Sequence, residues 1–374
     1  MSHAPSGPAA GKVDADPTVN PALITVDLAA LAANYRLLRS RAAPATVAAV
    51  VKANAYGLGL VPVARQLAAQ GCDTFFVATP EEGAELRRLL RSARIFVLGG
   101  FQPGTLAMFR THSLLPVLNS LAEARGWQQQ AALAPAALQI DTGMTRSGLD
   151  AAEVAALVAD TSLHRALRLA LVMSHLACAD QADHAMNREQ LAQFTALRRA
   201  WPDVPWSMAN SAGMFLGPDF LGDMVRPGIA LYGGRPQASG VNPMREVVNL
   251  KGRVLQIHQV GAGQSIGYGA TFHAGAAARI ATVGVGYADG YPRALGNRGF
   301  AVHNGQRVPV VGRVSMDLLT LDVSAPAHDE LRVGDAVDLL GGGVPLEELA
   351  ELAGTINYEL LTALSRRALR DYRA

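Results

Sequence analysis

VAAVVKANAYGLGLVPVARQLAAQGCDTFFVATPEEGAELRRLL, residues 47–90, decides the fold. VAAVV and TFFVA are apolar runs of strand length, whereas PVARQLAAQG and PEEGAELRRLL space their apolar residues three and four apart with charges between, as a helix packed on one face requires. Strand, helix, strand, helix in that order implies parallel strands, because only a crossover returns the chain to the same edge. The pattern continues outward: RIFVL at 94, LLPVL at 114, AALQI at 136, LALVM at 169, WSMAN at 206 and IALYG at 229 complete eight apolar runs, with amphipathic stretches such as AAEVAALVAD and NREQLAQFTALRRAW between them. Eight alternations predict an α/β fold, a (β/α)₈ TIM-type barrel, with VDLAALAANYRLLRSRA as a leading helix.

After Gly234 the texture changes. RPQASGVNP is a turn-rich connector, and RVLQIHQV and QRVPVVGRVSMDLLTLDV then alternate apolar with polar residues, the period of antiparallel strands. The expected organisation is a flexible tail over 1–21, the barrel over 22–244 and a mostly β C-terminal domain over 245–374 that closes with a helix near 357–372. Gly341, Gly342 and Gly343 read as a turn, since a nucleotide loop would need a lysine and a helix start beside them.

A chain of 374 residues, 50% hydrophobic and 17% charged, can bury large cores. A net charge of +2 with interspersed signs offers no stripe for nucleic acid and no polybasic membrane patch, so the partner is a small molecule. No apolar stretch reaches the roughly 18 residues of a membrane span, and the N-terminal segment lacks the hydrophobic core of a signal peptide. Cys72 and Cys178 form neither a metal-ligand spacing nor a disulfide framework, and no metal is expected; a reducing cytoplasm is the simplest compartment.

Barrel active sites lie at the carboxyl ends of the strands, so reactive residues belong just after the apolar runs. Lys52 ends the first, Arg146 follows the fifth in IDTGMTRSG, His175 ends the sixth in VMSHLACAD, Asn210 and Ser211 end the seventh, and Arg226 enters the eighth in MVRPGIALYG. Singly, each has a structural alternative: Arg146 paired with Asp141, His175 hydrogen-bonded in the core, Ser211 capping a short helix. Together they suit a cofactor that carries a dianion. A desolvated lysine is a nucleophile toward an aldehyde, while Tyr56 and the backbone amides of Gly228 and Ile229 can donate to phosphate oxygens. Pyridoxal 5'-phosphate needs both groups.

VVKANAYG, DTGM.R.G, SH.A.AD, ANSA, MVR.GI.LYG, GYGATF, VGYADGYPR, GRVSMD and TINYE occur in this order, and over about residues 22–365 the chain resembles the alanine racemases, fold-type III pyridoxal phosphate enzymes. The resemblance implies that Lys52 binds the cofactor as a Schiff base, that Tyr56, Ser211, Gly228, Ile229 and Tyr358 hold its phosphate, and that Asn210 lies beside it. It implies that Arg226 faces the pyridine nitrogen with support from His175. It makes Lys52 and Tyr268 the two bases that interconvert L- and D-alanine, with His175 and Arg226 as the neighbouring cations that favour a phenolate. Arg146 and the amide of Met316 would hold the substrate carboxylate, and Tyr287 and Tyr291 would narrow the entrance. It further implies a cytoplasmic homodimer with shared active sites that supplies D-alanine for peptidoglycan.

Three positions depart from the family pattern. Leu58 replaces the usual histidine of AYGHG, Gln139 replaces a lysine that many members carbamylate to orient the arginine matching Arg146, and SRRALRDYR lacks the usual prolines. With Gln139 present, Arg146 would be held by the neutral amide, an anion or other carboxylates. Other functions remain in view. A racemase for serine or a broader set of amino acids would share these motifs. A non-catalytic pyridoxal phosphate carrier would need neither Tyr268 nor a second domain, and a barrel decarboxylase would need an acid in place of Arg226.

Overall fold

The computed structural model describes residues 20–130 and 134–374; the expected tail over 1–21 lies outside the described residues except for Asn20 and Pro21. Two compact units are interleaved along the chain. One comprises Val26–Asn249, Pro345–Leu364 and Tyr372–Ala374, and the other Leu250–Val344, Ser365–Asp371 and the residues up to Thr25.

The first unit is the barrel. Seven parallel strands run in sequence order from Ala49–Val50 through Thr74–Val77, Arg94–Val97, Leu115–Leu118, Ala136–Gln139 and Leu169–Met173 to Trp206–Ser207. Phe75, Phe76, Val77, Ile95, Phe96 and Val97 have no exposed surface, which is why these strands read as continuous apolar runs and not as alternation. The eighth strand is Met224–Val225, paired in parallel with Thr46–Val47. It closes the ring, with Asp223 N–H donating to Trp206 O at 3.0 Å on one side and Ala48 N–H to Val225 O at 2.9 Å on the other.

This corrects the expected eighth strand. Ile229–Tyr232 is a buried 3₁₀ turn, ended by Gly233 at φ 90°. The run is apolar because it is buried, and burial alone does not separate a strand from a short helix.

The crossover helices begin where the sequence supplies caps. Asp27 accepts from Ala30 N–H at the start of Leu28–Ala42, Thr79 from Glu82 N–H at the start of Pro80–Leu89, and Asp150 from Glu153 N–H at the start of Ala151–Ala159. The leading helix buries Leu31, Tyr35 and Leu38 on one face.

The second unit is antiparallel, as the period of two implies. Val248–Val260 pairs with Ala278–Val283 and with Ala336–Leu340, and Ala278–Val283 pairs with Leu319–Asp322. Phe300–His303 and Gln306–Pro309 form a hairpin whose turn residues Asn304 and Gly305 both have positive φ. Gly341, Gly342 and Gly343 form a turn with positive φ throughout. The terminal helix is shorter than expected: helix spans Asn357–Ala363 only, and Leu369–Arg373 is a strand beside Ala22–Asp27. Pro345–Leu364 belongs to the barrel unit, not to the β unit that precedes it in sequence.

Candidate active site

Lys52 follows Val51 at the end of the first barrel strand and is half-buried. Burial, then the charge of Arg146 and less strongly that of Arg226, lower its pKa, while Glu82 opposes them. The chain then makes a left-handed turn, with Ala53, Asn54, Ala55 and Tyr56 at φ 53°, 54°, 53° and 54°. Each non-glycine residue in that region costs on the order of 1–2 kcal/mol, so the turn exists because surrounding contacts impose it. Ala53 N–H donates to Glu82 Oε1 at 2.6 Å, Gly57 N–H to Ala53 O at 2.8 Å, and Leu60 N–H to Asn54 Oδ1 at 2.9 Å. Leu58 is fully buried, and its carbonyl accepts from the Tyr372 hydroxyl at 3.0 Å.

The turn delivers Tyr56 into the mouth of the barrel. Its ring lies 4.6 Å from that of Tyr232 and 5.9 Å from that of Tyr358, which enters on Asn357–Ala363. Burial raises the Tyr56 phenol, which stays a neutral hydroxyl donor. At Gly228 a Cβ would sit 2.1 Å from Tyr56 Oη, so only glycine allows this approach. Ser211 Oγ accepts from Gly228 N–H at 2.9 Å and from Ala230 N–H at 3.2 Å, the two amides that flank Ile229. A hydroxyl, a phenol and amides at the start of a 3₁₀ turn are thus brought together, groups of the kinds that can donate to a phosphate.

Arg226 is buried and held through Nε and Nη2. Nε donates to Ser207 Oγ at 2.9 Å, and Nη2 donates to the carbonyls of Ser174 and Met208. Burial and then Arg146 push its pKa down to about 10, still above neutrality, so the guanidinium remains charged. Its Nη1 lies 3.5 Å from His175 Nδ1, and His175 Nε2 lies 3.4 Å from Asn210 Nδ2. Both ring nitrogens thus face N–H groups, and burial followed by Arg226, Arg146 and Lys52 holds the imidazole well below its ordinary pKa. His175 is neutral, which corrects the expectation that it adds a cation; Arg226 alone keeps that charge.

Gln139 does not reach Arg146. Its amide nitrogen donates to Ser147 O at 3.3 Å and Ser147 Oγ at 3.2 Å. Asp141 Oδ1 accepts from the Gly143 and Thr145 amides, so it shapes the loop and does not pair with Arg146. Arg146 is exposed, and among the described residues no carboxylate forms an ion pair with it.

The β unit holds the other expected site residues. Tyr268 and Met316 are 71% and 54% exposed, and with Tyr287, Arg293, Arg313 and Ser315 they line one shallow cavity of that unit. Tyr291 is buried, and its hydroxyl has no hydrogen-bond partner within the described residues. Sequence reading missed Ser207, Tyr232 and Glu82. Ser207 was visible as a polar residue inside an apolar strand run, whereas Tyr232, whose hydroxyl donates to Val50 O at 2.8 Å, and Glu82 carried no local signal of their partners.

Barrel, lysine and cradle define a class: a (β/α)₈-barrel enzyme with an antiparallel β domain that can hold a phosphorylated aldehyde on a lysine. The family described as "Alanine racemase, N-terminal domain" matches residues 26–236, and "Alanine racemase, C-terminal domain" matches 247–372. The chain belongs to the alanine racemase family. It is 49% identical to an alanine racemase of Rhodospirillum rubrum over 94% of this chain and 96% of that one. Identity to the catabolic alanine racemase of Agrobacterium fabrum is 48%, over 93% and 91% of the two chains. The crystal structure of alanine racemase from Bartonella henselae with covalently bound pyridoxal phosphate superposes with a TM-score of 0.90 at 39% identity, covering 94% of this chain and 99% of that one.

Proposed function

We propose that this protein is a pyridoxal phosphate-dependent alanine racemase that interconverts L- and D-alanine with two bases. The observation that carries the reading is the convergence of Lys52, Arg226 and the Tyr56–Ser211–Gly228 cradle at one barrel mouth. The residues fit the cofactor: Lys52 would hold it covalently, Tyr56, Ser211, Gly228, Ile229 and Tyr358 would take the phosphate, and Arg226 would donate to the ring nitrogen. When bound, pyridoxal phosphate supplies an electron sink that acidifies the substrate's α-hydrogen.

The protein's residues do the rest. Arg226 donates a hydrogen bond without surrendering its proton, and its three protein acceptors fix it in place. Neutral His175 packs against Arg226 and adds no competing charge. Lys52 takes or returns the α-proton on one face, a role that its lowered pKa favours by making the neutral amine more available. Tyr268 serves the opposite face, taking the proton from L-alanine while Lys52 takes it from D-alanine. Arg146 and the Met316 amide orient the carboxylate, and Tyr287 and Tyr291 restrict access to it.

We assign the working molecule as a homodimer in which Tyr268 and Met316 of one copy complete the barrel mouth of the other. The exposure of Tyr268, Tyr287, Met316 and Leu318 on one unit supports this, since such a set of large apolar side chains marks a contact surface. Both cysteines are free, which supports a cytoplasmic setting, and no described helix is long and apolar enough to cross a membrane. D-Alanine for peptidoglycan is the corresponding role.

Borohydride reduction of the purified enzyme and peptide mapping should place a pyridoxyl group on Lys52. A panel of amino acids should show alanine racemised fastest. Labelling at another lysine overturns the site, and serine turned over as fast as alanine replaces the reading with a broader racemase. Complementation of a D-alanine auxotroph tests the peptidoglycan role.

A further inference from the structure

We propose that Glu82 is a positioning residue for this reaction: its carboxylate holds the left-handed turn that carries Lys52 and Tyr56. The proposal rests on the reading of the barrel mouth given above.

Glu82 stands in Thr79-Pro80-Glu81-Glu82, the signature of a capping box, in which an acid three residues after the cap reaches back to the backbone that precedes the helix. One oxygen does this: Oε2 accepts from Ala78 N–H at 2.8 Å, while Thr79 Oγ1 accepts from Glu82 N–H at 3.4 Å. A cap requires no more. Oε1 instead leaves its own strand end and accepts from Ala53 N–H at 2.6 Å, the amide directly after Lys52. Ala53 is also the first of the four residues with left-handed φ.

Bonds within the segment add to this one, as in Ala55 N–H to Val51 O at 2.9 Å and Gly59 N–H to Asn54 O at 2.9 Å. Glu82, in the first turn of the helix Pro80–Leu89 that follows the second barrel strand, ties the strained residue beside the reactive lysine from outside the segment. A half-buried carboxylate that binds two amides is a strong acceptor, suited to holding a conformation the local chain disfavours. Its charge also acts on Lys52 against Arg146 and Arg226, with neutral His175 as the remaining ionisable neighbour.

The test uses the cofactor-loaded enzyme, Glu82→Gln and Thr79→Ala. Glu82→Gln keeps shape but loses one acceptor and the charge; Thr79→Ala weakens the same helix cap and leaves Ala53 bound. Glu82→Gln should lower kcat by about tenfold or more, as misplacement of a reacting group does, with a smaller change in KM. It should also move the pH titration of the bound cofactor's visible absorption to lower pH, because removing a nearby negative charge disfavours the protonated nitrogen. Thr79→Ala should move neither. In the unmodified enzyme, hydrogen exchange at the Ala53 amide should be as protected as at Ala55, a readout that holds even where a variant fails to fold. An unprotected Ala53 amide, or Glu82→Gln with unchanged kcat and titration, overturns the proposal. Borohydride labelling away from Lys52 in the unmodified enzyme would instead remove the functional reading itself.

Discussion

Lys52 sits where its amine is costly to protonate, and this has a measurable consequence. Only the neutral amine attacks an aldehyde, and an ordinary lysine loses its proton near pH 10.4. Because burial and then Arg146 lower the Lys52 pKa, capture of pyridoxal phosphate by the cofactor-free protein should rise with pH and reach its plateau below that value. Arg146→Gln removes one of the lowering charges, so the Lys52 pKa rises and the plateau should move to higher pH in stopped-flow absorbance. A plateau at the ordinary lysine value in the unmodified protein, or a downward move in Arg146→Gln, contradicts this account. The position of Lys52 was legible from sequence, because an apolar run ending in a lysine is a local pattern. The neutrality of His175 was not, since it arises first from burial and then from Arg226, Arg146 and Lys52 on three other strand ends.

At the scale of elements, the proposed function gives the loop from Asp141 to Gly148 the holding of substrate and the 3₁₀ turn at Ile229–Tyr232 the holding of cofactor. Gln139 ties the loop through Ser147, with no link to a carbamate or to Arg146. Gln139→Ala removes a bond worth about 1 kcal/mol and should raise the alanine KM by about fivefold with little change in kcat. Added bicarbonate should have no effect on the unmodified enzyme, and a bicarbonate requirement in steady-state assays would contradict this. The 3₁₀ turn meets Tyr56 at Gly228. Gly228→Ala forces a Cβ to within 2.1 Å of Tyr56 Oη, so the phenol or the turn must move. Overpacking of this kind typically costs about 1–3 kcal/mol, and cofactor affinity should fall by about tenfold or more in a fluorescence titration. Unchanged affinity would mean that this approach is not part of the cradle.

At the scale of the whole molecule, Lys52 lies in the barrel unit and Tyr268 in the β unit, and the proposed shared-site dimer makes a prediction that neither residue makes alone. Lys52→Ala and Tyr268→Phe homodimers should each be nearly inactive. A heterodimer of the two has one site with both lesions and one with neither. Random one-to-one pairing makes about half of the dimers heterodimers, so co-refolding the two inactive variants should restore about a quarter of the native activity, measured as racemisation against the separately refolded controls. If both variants fold and exchange subunits yet no activity returns, the two bases belong to one chain.

The sequence by itself determined the alternation of strand and helix, the antiparallel character of the second unit and the strand-end placing of Lys52, His175 and Ser211. These follow from periods of two and about 3.6 residues and from side chains at the ends of apolar runs, all of which are local. Tertiary structure alone decided the rest. Met224–Val225 is the closing strand because Val225 finds Val47 across the seam, a pairing that no property of MVRPGIALYG announces. Pro345–Leu364 returns to the barrel unit because Tyr358 packs near Tyr56 there. The left-handed turn after Lys52 has no glycine until Gly57 to betray it; it is held by Glu82 from the first turn of the helix Pro80–Leu89, and strain held from outside a segment leaves no mark on the segment's own residues.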